Sequence, residues 1–143
     1  MNIITIYQHE VQIRKSDIDR MGHVNNVSYV GWMQEAAMAH SAANGWDLED
    51  YQQLGMGWVA REHRIEYLTP AFLGDGLHLE TWVSGLKRVS STRDYRFIKK
   101  ESGEVIAAAR TQWAFINLQN QKPTKIPETV RNAFSVVQLA SSD

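Results

Sequence analysis

Between Ser16 and Asn26 the chain reads Ser-Asp-Ile-Asp-Arg-Met-Gly-His-Val-Asn-Asn, which gathers two carboxylates, one imidazole and two carboxamides around a glycine. An Ala-rich segment with helical spacing follows at once, so this polar stretch is a loop feeding a helix N-terminus. Asn25 and Asn26 are both good N-cap types, because a side-chain oxygen can accept from the unpaired amides of the first turn. A carbonyl oxygen that gains negative charge beside those amides is stabilised by them and by the helix dipole. With the amides of Asn26 and Val27 as oxyanion donors and Asp19 as base or nucleophile, the stretch carries the parts of an acyl-transfer site. Asp17 reads as the carboxylate that braces the loop through backbone amides.

Other chemistries fall away quickly. The 143 residues include no cysteine, which excludes disulfides, thiolate catalysis and cysteine-ligated metals. The five histidines, His9, His23, His40, His63 and His78, show no ligand spacing, so no metal site is expected. There is no phosphate loop, dinucleotide glycine motif or Gly-x-Ser-x-Gly elbow. A formal net charge of −1 points to no nucleic-acid or membrane partner. No early segment resembles a secretion signal and no apolar run is long enough to span a bilayer, so cytoplasmic residence is the expectation.

The elements that must position the loop follow from periodicity. Residues 3 to 14 alternate, with Ile3, Thr5, Tyr7, Val11 and Ile13 on one face and Gln8, Glu10, Gln12 and Arg14 on the other, as a half-buried strand does. Tyr29, Trp32, Met33, Ala36, Ala37 and Ala43 recur at helical steps and predict a helix from Asn26 to Ala43, stopped by Asn44-Gly45. Its many alanines make it thin enough to be wrapped by a curved sheet. Asp47 is placed to cap a short helix from Leu48 to Leu54, closed by Gly55. Four strand-like runs follow, at about 57 to 68, 76 to 86, 92 to 100 and 104 to 118, with Ser90 and Ser91 among the connecting residues. Short connections force antiparallel neighbours, so the expected class is α+β, with one long helix on about five or six antiparallel strands in a single domain over 1–143. Pro123 and Pro127 bracket a turn, Glu128 to Phe134 forms a last helical turn or two, and Ser141 to Asp143 frays.

Read from Asp17 to Trp32, Asp-x-Asp-x-x-Gly-His-Val-Asn-Asn-x-x-Tyr-x-x-Trp resembles the signature of hotdog-fold thioesterases, both the hydroxybenzoyl-CoA thioesterase group and the plant acyl-ACP thioesterases. Weaker matches extend through Ile65–Pro70 and Gly74-Asp75 to Lys122-Pro123 and Ile126-Pro127. The resemblance implies a hotdog fold, and it selects that fold from the two-layer sheets the pattern alone allows. It also implies hydrolysis of an acyl-CoA or acyl-ACP thioester. In the hydroxybenzoyl-CoA type the second Asp of the motif is catalytic, which falls on Asp19. Ungapped alignment puts the helix-start oxyanion donor at Asn26. His23 matches a member of the plant catalytic set and is absent from the other type. Met21 stands where the plant enzymes carry a water-orienting Asn, and their later Glu has no counterpart near Pro70, so the plant likeness is to the helix entry.

Three further features complete the expectation. Glu35 lies on the Ala-rich helix, where a carboxylate is a candidate for burial. Facing the site it would be a second acid or base; otherwise it is a structural hydrogen-bonding group. Lys87, Arg88 and Arg93, with Lys99-Lys100, surround a predicted hairpin, and in a CoA thioesterase such a rim would hold the nucleotide phosphates, Arg88 first; the alternative is solvated edge protection. Thioester cleavage needs only a polarised carbonyl and a delivered nucleophile, so no cofactor is implied. Two rival functions share the expected fold: a hotdog dehydratase or hydratase, and a non-catalytic acyl-thioester binder. One thin helix cannot cover a long curved sheet, so a homodimer or homotetramer is expected.

Overall fold

A computed structural model describes residues 3–138. The expected fraying of Ser141 to Asp143 lies outside the described residues. In chain order the elements are β1 (Tyr7–Val11), α1 (Asn26–Ala43), α2 (Leu48–Leu54), β2 (Met56–Tyr67), β3 (Leu77–Leu86), β4 (Ser90–Lys99), β5 (Val105–Asn117) and α3 (Glu128–Arg131). The strands form one sheet in the order β1-β3-β4-β5-β2, every neighbour antiparallel. With α1 against its inner face, this is the hotdog arrangement that the signature implies.

α1 runs where its spacing predicts. Its Asn25 cap accepts from Ser28 N at 2.9 Å, and its buried stripe is Tyr29, Trp32, Met33, Ala36, Ala37, His40 and Ser41. At the other end only Gly45, at φ 97°, adopts the left-handed conformation. Asn44 instead turns its buried side chain on the N-terminal segment, its Oδ1 accepting from Ile4 N at 2.9 Å and its Nδ2 donating to Ile4 O at 3.1 Å. α2 is capped reciprocally by Asp47 and Asp50 and closed by left-handed Gly55.

The stripe packs on side chains that alternate along the strands: Leu77 and Leu79 from β3, Tyr95 and Phe97 from β4, Ala107 and Ala109 from β5. A second cluster, Tyr51, Phe115, Ile126 and Val130, fills the space under α2 and α3. Two strand boundaries depart from the pattern. Only Tyr7–Val11 of the alternating 3–14 stretch pairs: beyond Val11, opposite Leu77, β3 has not begun, and before Tyr7 the chain turns to α1, where Ile4 bonds to Asn44 and His40. Ser90 and Ser91 belong to β4, pairing with Ala114 and Trp113, so the β3–β4 turn is tighter than its serines suggest. Among the described residues no helix is long and apolar enough to cross a membrane.

Candidate active site

The signature loop is a miniature hairpin. Ile18 bridges Val24, Asp19 N donates to His23 O at 2.8 Å, and Gly22 N donates to Asp19 O at 3.1 Å. Gly22 sits at φ 81°, a conformation that a side chain resists, so this turn requires glycine. One Asp19 oxygen, Oδ1, accepts from the amides of Met21 at 2.9 Å and His23 at 3.1 Å. The carboxylate is thus aimed by its own loop, and no described residue donates to Oδ2. Asp17 anchors the loop to the helix, accepting from Arg14 N at 2.8 Å and from Ser28 Oγ at 2.7 Å. Val24 N donates to Ala71 O at 2.8 Å and ties the loop to the segment after β2.

Beside that tie opens a cavity of about 340 Å³. Asp19, His23 and Asn26 all line it, together with Tyr29 and the chain from Tyr67 to Pro70. Val27 does not line it and its side chain is exposed, leaving only its amide as a possible participant. The first amides of a helix have no intrahelical acceptor. Asn25 supplies one for Ser28, while the amides of Asn26 and Val27 take part in none of the cap and loop hydrogen bonds of the described residues. His23 packs edge-on against Phe72, ring centroids 5.1 Å apart, and its imidazole makes no hydrogen bond to a described residue.

Tyr29 is a site residue that periodicity hides, because it reads as one more core position of α1. Burial pushes its phenol up to about 12, with Tyr67 and then Asp75 adding to the shift. It therefore stays a neutral hydrogen-bond donor across the physiological range. The Tyr at the fourth position after Asn25 in the signature was the available signal. Together Asp19, Asn26 and Tyr29 present an aimed carboxylate, an uncommitted helix-start amide and a neutral phenol around one space, with the Val27 amide next in the chain, an arrangement suited to attack on a polarised carbonyl.

Residues 13–134 match the family model described as the thioesterase-like superfamily. The chain belongs to that superfamily. Over 137 residues it is 23% identical to oleoyl-acyl carrier protein thioesterase 1 of Arabidopsis thaliana, covering 91% of this chain and 38% of the plant protein. The chain therefore spans well under half the length of that relative. The structure of a DHNA-CoA thioesterase from Staphylococcus aureus superposes with a TM-score of 0.84 at 20% identity, covering 91% of this chain and 89% of that one, which shows a shared fold. A gentisyl-coenzyme A thioesterase superposes with a TM-score of 0.78 at 26% identity, covering 92% and 100%.

Within this member of the thioesterase-like superfamily, Glu35 and Arg93 lie elsewhere than the sequence suggests, and Lys87 and Arg88 keep their expected turn but lie far from Asp19 in the same protomer. Glu35 is not buried: its side chain is 65% exposed, and its Oε2 lies 3.6 Å from His9 Nε2. It falls outside the stripe of α1 that faces the sheet, and it does not line the Asp19 cavity. Arg93 is not part of a basic rim. It shares the inward parity of Ser91, Tyr95 and Phe97 on β4 and is only 5% exposed. Lys87 and Arg88 are exposed at the β3–β4 turn, but that turn is at the far end of the sheet from Asp19. From Leu77 to Leu86, β3 advances on the order of 30 Å at ~3.3 Å per residue. Among the described residues no group of three or more His, Asp or Glu could hold a metal ion.

Arg93 is held by neutral partners. Its Nη1 donates to His40 Nδ1 at 2.8 Å and to Thr81 Oγ1 at 3.2 Å, while His40 Nε2 meets Ile4 O at 2.6 Å. Burial first, and the Arg93 charge second, push the His40 imidazole down to about 4. The unfolded chain, with an ordinary histidine near 6.5, then binds the proton more readily than the folded one. Stability from this group is complete above about pH 6.5 and is lost as pH falls toward 4, by on the order of 3 kcal/mol. Urea denaturation at pH 7, 5.5 and 4.5 is expected to show this slope in the wild type and a shallower one in His40→Gln.

Proposed function

We propose that this chain hydrolyses acyl thioesters, releasing a free acid and a thiol from an acyl-CoA or acyl-ACP. The observation that carries the reading is the meeting of Asp19, His23 and Asn26 on one cavity beside two uncommitted helix-start amides. In this scheme the amides of Asn26 and Val27 hold the carbonyl oxygen as it becomes an oxyanion. Asp19 either takes the proton of an attacking water or attacks the carbonyl itself, giving an anhydride that water then opens. The C–S bond breaks as the tetrahedral adduct collapses, and the thiolate leaves to be protonated. His23 lies where it can move that proton. His23→Gln keeps the bulk and cannot titrate; turnover is expected to fall about tenfold or more with an unchanged circular dichroism spectrum. Unchanged turnover would assign His23 to its packing on Phe72.

We place the working form as a homodimer or a dimer of dimers. β2 is an outer strand with only β5 beside it, and most of its residues from Val59 to Glu66 are exposed. An edge of that length is a template for pairing. Antiparallel pairing with a second β2 would set the start of one strand beside the end of the other, bringing the partner's β3–β4 turn to the side of the Asp19 loop. Lys87 and Arg88 would then serve the site across the interface, holding the phosphates of CoA. Arg88→Ala is expected to raise KM for acyl-CoA several-fold with little change in kcat, and the wild-type KM should rise with salt. Indifference to both would point to a carrier without the nucleotide.

The deciding experiment is a panel of acyl-CoAs, aromatic, medium and long chain, read both for thiol release and for hydration of a 2,3-double bond. Thiol release supports the hydrolase. Hydration alone would make the chain a hydratase, and binding without either would make it a binder.

A further inference from the structure

A second and larger cavity, about 750 Å³, lies toward the other end of α1. Its walls are mostly apolar, with Ala37, Trp58, Val83 and Phe134 among them, and Arg93 also lines it. Arg93 is a permanent cation that is 95% withdrawn from solvent, being 5% exposed. None of the ion pairs among the described residues includes it. Its hydrogen bonds to described residues all leave from Nη1 and end on two uncharged groups, the His40 imidazole and the Thr81 hydroxyl. Nη2 and Nε remain for something else.

A guanidinium in an apolar wall is ordinarily matched by an anion, and its planar fork suits a carboxylate. We propose that this cavity binds an apolar carboxylic acid, with the carboxylate on the Arg93 guanidinium and the hydrocarbon or aryl body along the apolar walls. Within one protomer the site stands apart from the Asp19 cavity, while the β2 pairing proposed above would set its Trp58 and Val59 wall beside the partner's Asp19 loop. Arg93 bonds to His40, and from Asn26 to His40 α1 advances about 21 Å at ~1.5 Å per residue. Such a carboxylate has two sources: a free acid, or the distal end of an ω-carboxyacyl thioester whose reacting carbonyl sits at the Asp19 loop of the partner subunit in the β2-paired dimer proposed above. Only the second source rests on the thioesterase reading.

The test is a titration of the whole protein with octanoate and with 1-octanol, followed by the fluorescence of the lining tryptophans and by calorimetry. Octanoate is expected to bind at least tenfold more tightly than octanol, and Arg93→Met to bring the two affinities together. Equal affinity for acid and alcohol in the wild type overturns the proposal without recourse to any variant, as does a folded Arg93→Met that keeps the preference. A second arm compares sebacoyl-CoA with decanoyl-CoA. A tenfold advantage in kcat/KM for sebacoyl-CoA that Arg93→Met abolishes assigns the carboxylate to the substrate. Octanoate binding with no such advantage assigns the cavity to a free acid. If neither thioester is hydrolysed, the proposed function fails while the binding result stands.

Discussion

Asp19→Asn is expected to lower kcat for acyl-CoA hydrolysis by about 10²–10⁴-fold, the range associated with loss of a positioned base, while leaving the fold intact. The substitution separates chemistry from architecture because of what Asp19 already does in its loop. Its Oδ1 accepts from the amides of Met21 and His23, and the amide oxygen of Asn can accept from both. The turn that carries Gly22 should therefore survive. Negative charge and basicity are lost, which removes general-base and nucleophilic roles alike. The amides of Asn26 and Val27 are untouched, so substrate should still bind and a residual rate should persist. The measurement is thiol release under saturating acyl-CoA, with circular dichroism on both proteins. A variant that keeps most of the wild-type rate would make Asp19 a loop brace and would move the chemistry to His23.

Phe97→Ala is expected to cost about 3–5 kcal/mol of stability, enough to consume much of what holds a domain of this size together. Phe97 is fully buried on β4 and meets Tyr29 with ring centroids 5.0 Å apart and Trp32 at 6.4 Å. Truncation leaves a void between the sheet and the first turns of α1, beneath Tyr29. Thermal and urea melts measure the loss. A milder Phe97→Leu should recover most of the stability, and its residual effect on KM would report how far Tyr29 depends on the packing below it. A cost under about 1 kcal/mol for the alanine variant would show that α1 settles into the space.

The signature loop was legible because its determinants are local. Asn25 caps three residues ahead, Asp19 accepts from amides two and four residues on, and Gly22 turns the chain between them. The helix and strands followed from periodicity for the same reason. The back of the cavity was not legible, since Tyr67 to Pro70 reach it only after β2 has run the length of the sheet along its edge. The exposure of Glu35 was not legible because alanines at 36, 37, 39, 42 and 43 blur the apolar stripe, which the larger side chains at 29, 32 and 33 point elsewhere. Arg93 was readable in principle. Its parity with Tyr95 and Phe97 places it inside, but its nearness in sequence to Lys87 and Arg88 suggested a surface cluster. Local charge density says little about which face of a strand a residue takes.

The strand order also governs how the chain can be made. β3, β4 and β5 pair in sequence through short turns, whereas β2 pairs only with β5, Met56 opposite Asn117. As the polypeptide leaves a ribosome, β2 emerges with no strand to join until β3, β4 and β5 have all followed it. Throughout that interval it carries Val59, Ile65 and Tyr67 beside an unsatisfied backbone. Sheet closure is then a late, long-range event, which places this chain among slower folders and makes the incomplete product a target for chaperones. A nascent chain arrested before Val105 would hold every residue of the signature loop and yet lack the strand on which the opposite wall of its cavity depends.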